Sequence, residues 1–275
     1  MTEVLRPAGH EVGAYFRFER WELPPPAGAE GPSGFAGRAP IDPHQRGPGG
    51  GLATGGLLTC IDSMGGLLCG LAVLPKWIVT GSLSVQVLRI RQVGPLGFHG
   101  RLLRQGRNSV VCSVDVVDEG DGGAPVAEAV VTCAVLDPGG MALDFVRPLT
   151  VPMPPPVPDP VGVEAFFGIE PGEGPVTRLQ LDDRLRNPWG ILHGGAVATL
   201  VDVAARRAAA GPDEGDLATT GVVVHYLSPL RVGPVEARCT LVGSRADGSV
   251  VRVALHDTGA ADRLAALASV TVRAV

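Results

Sequence analysis

The chain has 275 residues, an apolar fraction of 45% and a formal net charge of −5. That length permits one or two domains, each able to bury a core. No basic run stands out and Lys76 is the only lysine, which excludes the clustered positive footprint of a nucleic-acid groove. The opening MTEVLRPAGHEV lacks the basic and apolar regions of a secretory signal. No uninterrupted apolar stretch of about 18 residues suggests a membrane span. Cys60, Cys69, Cys112, Cys133 and Cys239 are odd in number and lack CxxC spacing. They read as buried free thiols in a reducing compartment, so a cytoplasmic protein is expected.

In chain order, residues 15–23 read as extended, and the Pro/Gly-rich stretch 24–51 as a long mobile loop. A small-residue apolar segment near 55–73 is predicted helical, because Leu57, Ile61, Met64 and Leu68 recur every three to four residues. Alternation and β-branching predict strands near 78–90, 98–105, 109–118 and 126–136. The proline-dense stretch 147–160 cannot continue a ladder and reads as a linker. The order then repeats, with an extended stretch at 176–181, a helix near 194–210 and strands near 218–228, 234–243, 249–257 and 264–274. Residues 1–146 and 161–275 are therefore expected to form two domains. Several strands after one helix predict an α+β fold, an antiparallel sheet wrapped around that helix.

The repeat is visible residue by residue. At an offset of 140, Pro48, Gly50, Leu52, Gly55, Thr59 and Asp62 fall on Pro188, Gly190, Leu192, Gly195, Thr199 and Asp202. The same offset carries Thr80-Gly81 onto Thr220-Gly221 and Arg91 onto Arg231. One residue is then lost, and Val93-Gly94-Pro95 falls on Val232-Gly233-Pro234. A rival alignment sets Thr54-Gly55-Gly56 on His193-Gly194-Gly195, but misplaces Asp62 by one residue.

The second half carries Asn187, then His193-Gly194-Gly195, then Asp202. With the following Thr219-Thr220-Gly-Val-Val-Val-His-Tyr, this run resembles the PaaI-like thioesterases of the hotdog fold. The resemblance covers about residues 170–275, and reaches 47–136 through the repeat. It implies two tandem hotdog domains, an acyl-CoA or acyl-carrier-protein thioester as substrate, and no cofactor. In the family two units pair, and the Asn and HGG of one face the acidic residue of the other. The resemblance thus implies a pseudo-dimer within one chain. Hotdog units often associate further, which leaves the assembly open.

The chemistry suits the residue types. Thioester hydrolysis develops negative charge on the carbonyl oxygen, and free N–H groups at a helix N-terminus point at such a charge. The Gly194 amide is the expected oxyanion donor. Asn187 and His193 would orient the carbonyl or the water, and a carboxylate would activate water or attack. Burial should raise that carboxylate's pKa. The first half has Gly47, Ala53 and Thr54 where the second has Asn187, His193 and Gly194. The complete site by family geometry is then Asn187, His193 and Gly194 with Asp62. Asp202 would face the degraded side, in a dead or weak mirror site, or serve as the base if the geometry does not carry over. Thr219 or Thr220 would bond the water or the carboxylate, Gly195 would line the substrate, and Arg231 would meet CoA phosphates.

Plainer readings exist for each residue. His193 alone would be a structural histidine at a helix cap, and Asp62 a carboxylate placed for the helix dipole. The other five histidines match no metal-ligand spacing. A non-catalytic acyl-CoA-binding protein is the competing function. A hotdog dehydratase ranks lower, because no Asp/Asn-Pro-His arrangement of that branch is present.

Overall fold

The computed structural model describes residues 10–23, 34–137, 150–210 and 216–275. The first half runs α1 (His10–Tyr15), β1 (Glu19–Leu23), β2 (Gly34–Ala39), α2 (Thr54–Val73), β3 (Trp77–Val87), β4 (Leu96–Gln105), β5 (Ser109–Asp118), β6 (Ala124–Leu136). The rest runs β7 (Thr150–Val151), α3 (Val163–Phe166), β8 (Ile169–Pro171), β9 (Thr177–Leu179), α4 (Gly194–Ala209), β10 (Leu217–Tyr226), β11 (Val235–Arg245), β12 (Gly248–Asp257), β13 (Arg263–Ala274). The strands form one antiparallel sheet in the order β7-β1-β2-β4-β5-β6-β3-β10-β13-β12-β11-β9-β8. Within it β2-β4-β5-β6-β3 and β9-β11-β12-β13-β10 share one topology, each curled around its helix. Both halves thus have the expected hotdog architecture, joined edge to edge where Val85 pairs Val222 and Leu83 pairs Val224.

Each sheet buries alternate residues against its helix: Val110, Cys112, Val114 and Val116 in β5, and Val251, Val253 and Leu255 in β12. Helix α2 is long and apolar enough to span a membrane by composition, with mean hydropathy 1.7, yet 72% of that window is buried in the protein. It is a core helix, enclosed by its own sheet and by α4.

Four sequence readings need correction. Residues 15–23 are not all extended, because α1 reaches Tyr15 and the strand starts at Glu19. Part of the expected loop 24–51 is a strand: β2 pairs with β1 and β4 along its length. Its glycines disguised it. A Cβ on Gly37 would lie 2.7–2.9 Å from Phe18 and Met64, and one on Gly34 would lie 2.6 Å from the Gly100 carbonyl oxygen. Residues 24–33 lie outside the described residues. Two residues of the stretch read as linker join the sheet, Thr150 and Val151, which pair with β1.

The fourth correction concerns register. The ladder skips one residue after Thr80 in β3 and after Thr219 in β10. Thr219, not Thr220, therefore occupies the place of Thr80. Asp118 accepts from the Val93 and Gly94 amides as Asp257 does from Val232 and Gly233, again at offset 139. The residue is lost between helix and strand, and the Thr-Gly and Arg91–Arg231 matches at 140 are coincidences of sequence.

The ungapped helix alignment holds. Ala53 and His193 are the N-caps of α2 and α4. The helices cross at Gly55, Thr59, Gly195 and Thr199. Thr59 Oγ1 and Thr199 Oγ1 lie 2.9 Å apart, and each lies within hydrogen-bond distance of the Gly55 and Gly195 carbonyls. A Cβ on Gly55 would sit 2.6 Å from Thr199 Cγ2 and 3.1 Å from its Cα. Gly55→Ala gains helix propensity but must push the two backbones apart. Overpacking of this kind costs about 1–3 kcal/mol, so its urea midpoint is expected to fall below wild type.

Candidate active site

The crossing sets each helix's aspartate at the start of the other helix. Asp62 lies two turns along α2 and is 4% exposed. Its Oδ2 lies 3.6 Å from His193 Nδ1. A Cβ on Gly194 would lie 2.7–2.8 Å from both carboxylate oxygens, so only glycine at 194 lets the carboxylate sit there. Thr80 donates its hydroxyl to Asp62 Oδ1 at 2.8 Å. The Gly195 amide donates to His193 Nδ1 at 3.0 Å and also favours the Asp62 carboxylate. Among the described residues no acceptor meets the Gly194 N–H. Tyr226 donates its hydroxyl to the Gly194 carbonyl at 3.0 Å, holding the first turn of α4 from the sheet.

Burial dominates the electrostatics. It raises the Asp62 carboxyl above its ordinary range, against the opposing pull of His193, the Thr80 hydroxyl and the Gly195 amide. It lowers His193, opposed by the Asp62 charge and assisted by Arg20. It pushes the Tyr226 hydroxyl far up, and the nearby Asp62 adds to this. Nδ1 of His193 accepts from Gly195, so a neutral imidazole carries its proton on Nε2.

The structure thus brings together Asp62, His193, Gly194 and Gly195. Asn187 stands in the preceding turn, where its Oδ1 accepts from the Trp189 and Ile191 amides at 2.9 and 3.3 Å. Its oxygen is committed to shaping that turn. Arg231 donates to the Trp189 carbonyl at 3.1 Å and braces the same turn. Thr220 bonds the Thr271 carbonyl at 3.4 Å, and Thr219 Oγ1 is buried without a partner among the described residues. The hydroxyl on Asp62 is that of Thr80, which the slipped alignment concealed. Tyr226 was also missed, although it stands in the quoted run after Thr220.

Asp202, 1% exposed, faces the other helix start. Its Oδ2 accepts from the Gly55 amide at 3.1 Å and from Arg206 at 3.4 Å. Ala53 and Thr54 replace the histidine and first glycine there. Among the described residues no cluster of side chains suits a metal ion.

Residues 190–262 match the thioesterase superfamily, a segment that contains His193, Gly194, Asp202 and Tyr226. The chain is a tandem hotdog protein by fold, and the family match lies within its second half. The solved structures similar to this tandem hotdog chain include the tesB protein of Mycobacterium avium subs paratuberculosis. It is 12% identical, with 98% of this chain and 99% of that one covered and a TM-score of 0.57. A putative thioesterase II from Thermobifida fusca YX is 18% identical, with 87% and 93% covered and a TM-score of 0.56. The 12:0-ACP thioesterase from Umbellularia californica is 12% identical, with 87% and 94% covered and a TM-score of 0.55. At these identities the likeness is one of fold. No curated protein matches the tandem hotdog chain.

The His193–Asp62 pair can be tested without a substrate. By NMR, the imidazole should titrate below its ordinary value of 6.5. Asp62→Asn removes the one charge that raises it, so the midpoint should fall further; an unchanged midpoint would mean that the carboxylate is not ionised beside it.

Proposed function

We propose that the chain hydrolyses an acyl-CoA or acyl-carrier-protein thioester at one composite site, built from Asp62 of the first half and His193-Gly194 of the second. The observation that carries this reading is the buried Asp62 carboxylate against a helix start whose first amide meets no acceptor among the described residues. The Asn187…His193-Gly194-Gly195…Asp202 run resembles that of the PaaI-like branch and supports the same reading.

The roles follow from chemistry. The thioester carbonyl oxygen takes the Gly194 N–H, where the dipole of α4 adds its field. One such donor is worth roughly 3–4 kcal/mol in enzymes where it was removed. Asp62 accepts a proton from water as the water oxygen bonds to the carbonyl carbon. The charge passes to the oxygen held at Gly194. When the tetrahedral species collapses, the C–S bond breaks and the Asp62 proton passes to the departing sulfur. The raised carboxyl suits both steps, being a stronger base than an exposed aspartate. His193 fixes the Gly195 amide through Nδ1 and offers Nε2–H to the carbonyl or the water. Asn187 and Arg231 position the turn ahead of α4, and Thr80 holds the carboxylate.

The deciding experiment follows free-thiol release from short, medium, long and aryl acyl-CoAs. Asp62→Asn should lose about a hundredfold or more, a typical size for a general base, and the loss in Asp202→Asn should be the smaller. The reverse order would move the base to Asp202. If the wild type binds acyl-CoA but releases no thiol, the protein is a binding protein.

The pH profile gives a second test. The working form of Asp62 is the carboxylate, so activity should fall as pH drops through its raised pKa, above the ordinary aspartate range. Thr80→Val removes a bond that favours the carboxylate. The acid limb of kcat/KM should therefore move to higher pH, and a limb that stays put would remove Thr80 from the site.

A further inference from the structure

The mirror site is degraded as a catalyst, yet it lies on a cavity of about 350 Å³, at the small end of ligand sites. The cavity is lined by Ala53 and Gly55 at the start of α2, by Asp202 and Arg206 from α4, by His44, and by Glu164 and Ala165 of α3. Two buried polar atoms of this lining have no partner among the described residues: Asp202 Oδ1 and His44 Nε2. An unmet buried acceptor costs about 1–3 kcal/mol, and natural proteins leave few. In the catalytic half Thr80 satisfies the equivalent oxygen of Asp62. Here Thr219 takes that place, and its hydroxyl is also unpartnered.

The chemistry of the cavity favours a neutral polar guest. Arg206 is bound to Asp202 and Glu164, the latter at 3.1 Å. Arg46 donates to the Gly50, Gln92 and Val93 carbonyls. The lining holds two arginines and two carboxylates, so their formal charges balance and favour a neutral guest over an anion. Asp202 Oδ1 needs a donor, and His44 Nε2 can donate or accept. A chain of amides and hydroxyls meets both needs.

We infer that this cavity holds the pantetheine arm of a second acyl thioester, bound through Asp202 and His44 and not cleaved. The identity of the guest rests on the thioesterase reading. The lack of cleavage follows from Ala53 in place of His193, Thr54 in place of Gly194, and a carboxylate tied to Arg206.

The test is calorimetric titration of the full chain with thioether analogues of acyl-CoA, which cannot be hydrolysed. The wild type should take two equivalents. Ala165 is exposed at the cavity wall, so Ala165→Trp should plug it and leave one. His44→Phe keeps the edge-on ring contact with Tyr15 and should weaken the second site about tenfold, the size of one hydrogen bond. Two equivalents, or one that these substitutions weaken, support the inference. No binding, or a single equivalent indifferent to both, overturns it. Thiol release by the same preparation separates the two readings. Turnover with one indifferent equivalent refutes the second site alone, and two equivalents without turnover refute hydrolysis alone.

Discussion

Everything in this molecule depends on how closely α2 approaches α4. Two glycines and two threonines at the crossing let backbone meet backbone, and their hydroxyls and carbonyls satisfy one another in a buried interface. A larger residue at either glycine would open the gap. Asp62 and Asp202 would then lose their places at the opposite helix starts, and β3 and β10 could not close into one ladder. The residues of the proposed site thus have two jobs. Gly195 is part of the helix start and part of the crossing, since its added Cβ would meet the Thr59 Cα at 2.7 Å.

Duplication followed by divergence explains the asymmetry. The two helix starts are built alike, and the aspartates are equally buried. Against the carboxylates they differ at the N-cap, Ala53 for His193, and at the first helical residue, Thr54 for Gly194. With His193 and Gly194, the carboxylate packs against an open amide and a neutral ring. With Ala53 and Thr54, the equivalent carboxylate bonds directly to the Gly55 amide and an arginine on its own helix. Arg206 stands where the first half has Gly66, so its positive charge belongs to one site only.

Much of this was legible in the sequence because repeats and helix periodicity are local signals. Both helices and eight of the long strands could be placed from alternation and spacing, and the pairing of Asp62 with His193 followed from the repeat and the family likeness. What escaped was tertiary in origin. Strand β2 reads as loop, since its glycines answer to Phe18, Met64 and the β4 backbone, not to local preference. Thr80 was hidden by a one-residue deletion that only the ladder reveals. Asn187 looks catalytic by its place in the motif, but what its oxygen does depends on a turn four residues long. The cavity beside Asp202 combines residues from three separate segments, and no spacing announces it.

The single sheet has a last consequence at its ends. Joining β3 to β10 uses up the long inner edges of both halves. What remains outermost is β7, two residues, and β8, three residues ending at Pro171. Short terminal strands and a proline present few free donors to a neighbouring chain. These short strands leave β11 uncovered beyond Ala237, so residues 238–245 pair only with β12 among the described strands, and the exposed charges of Arg238 and Arg245 are what guard that open edge against strand addition.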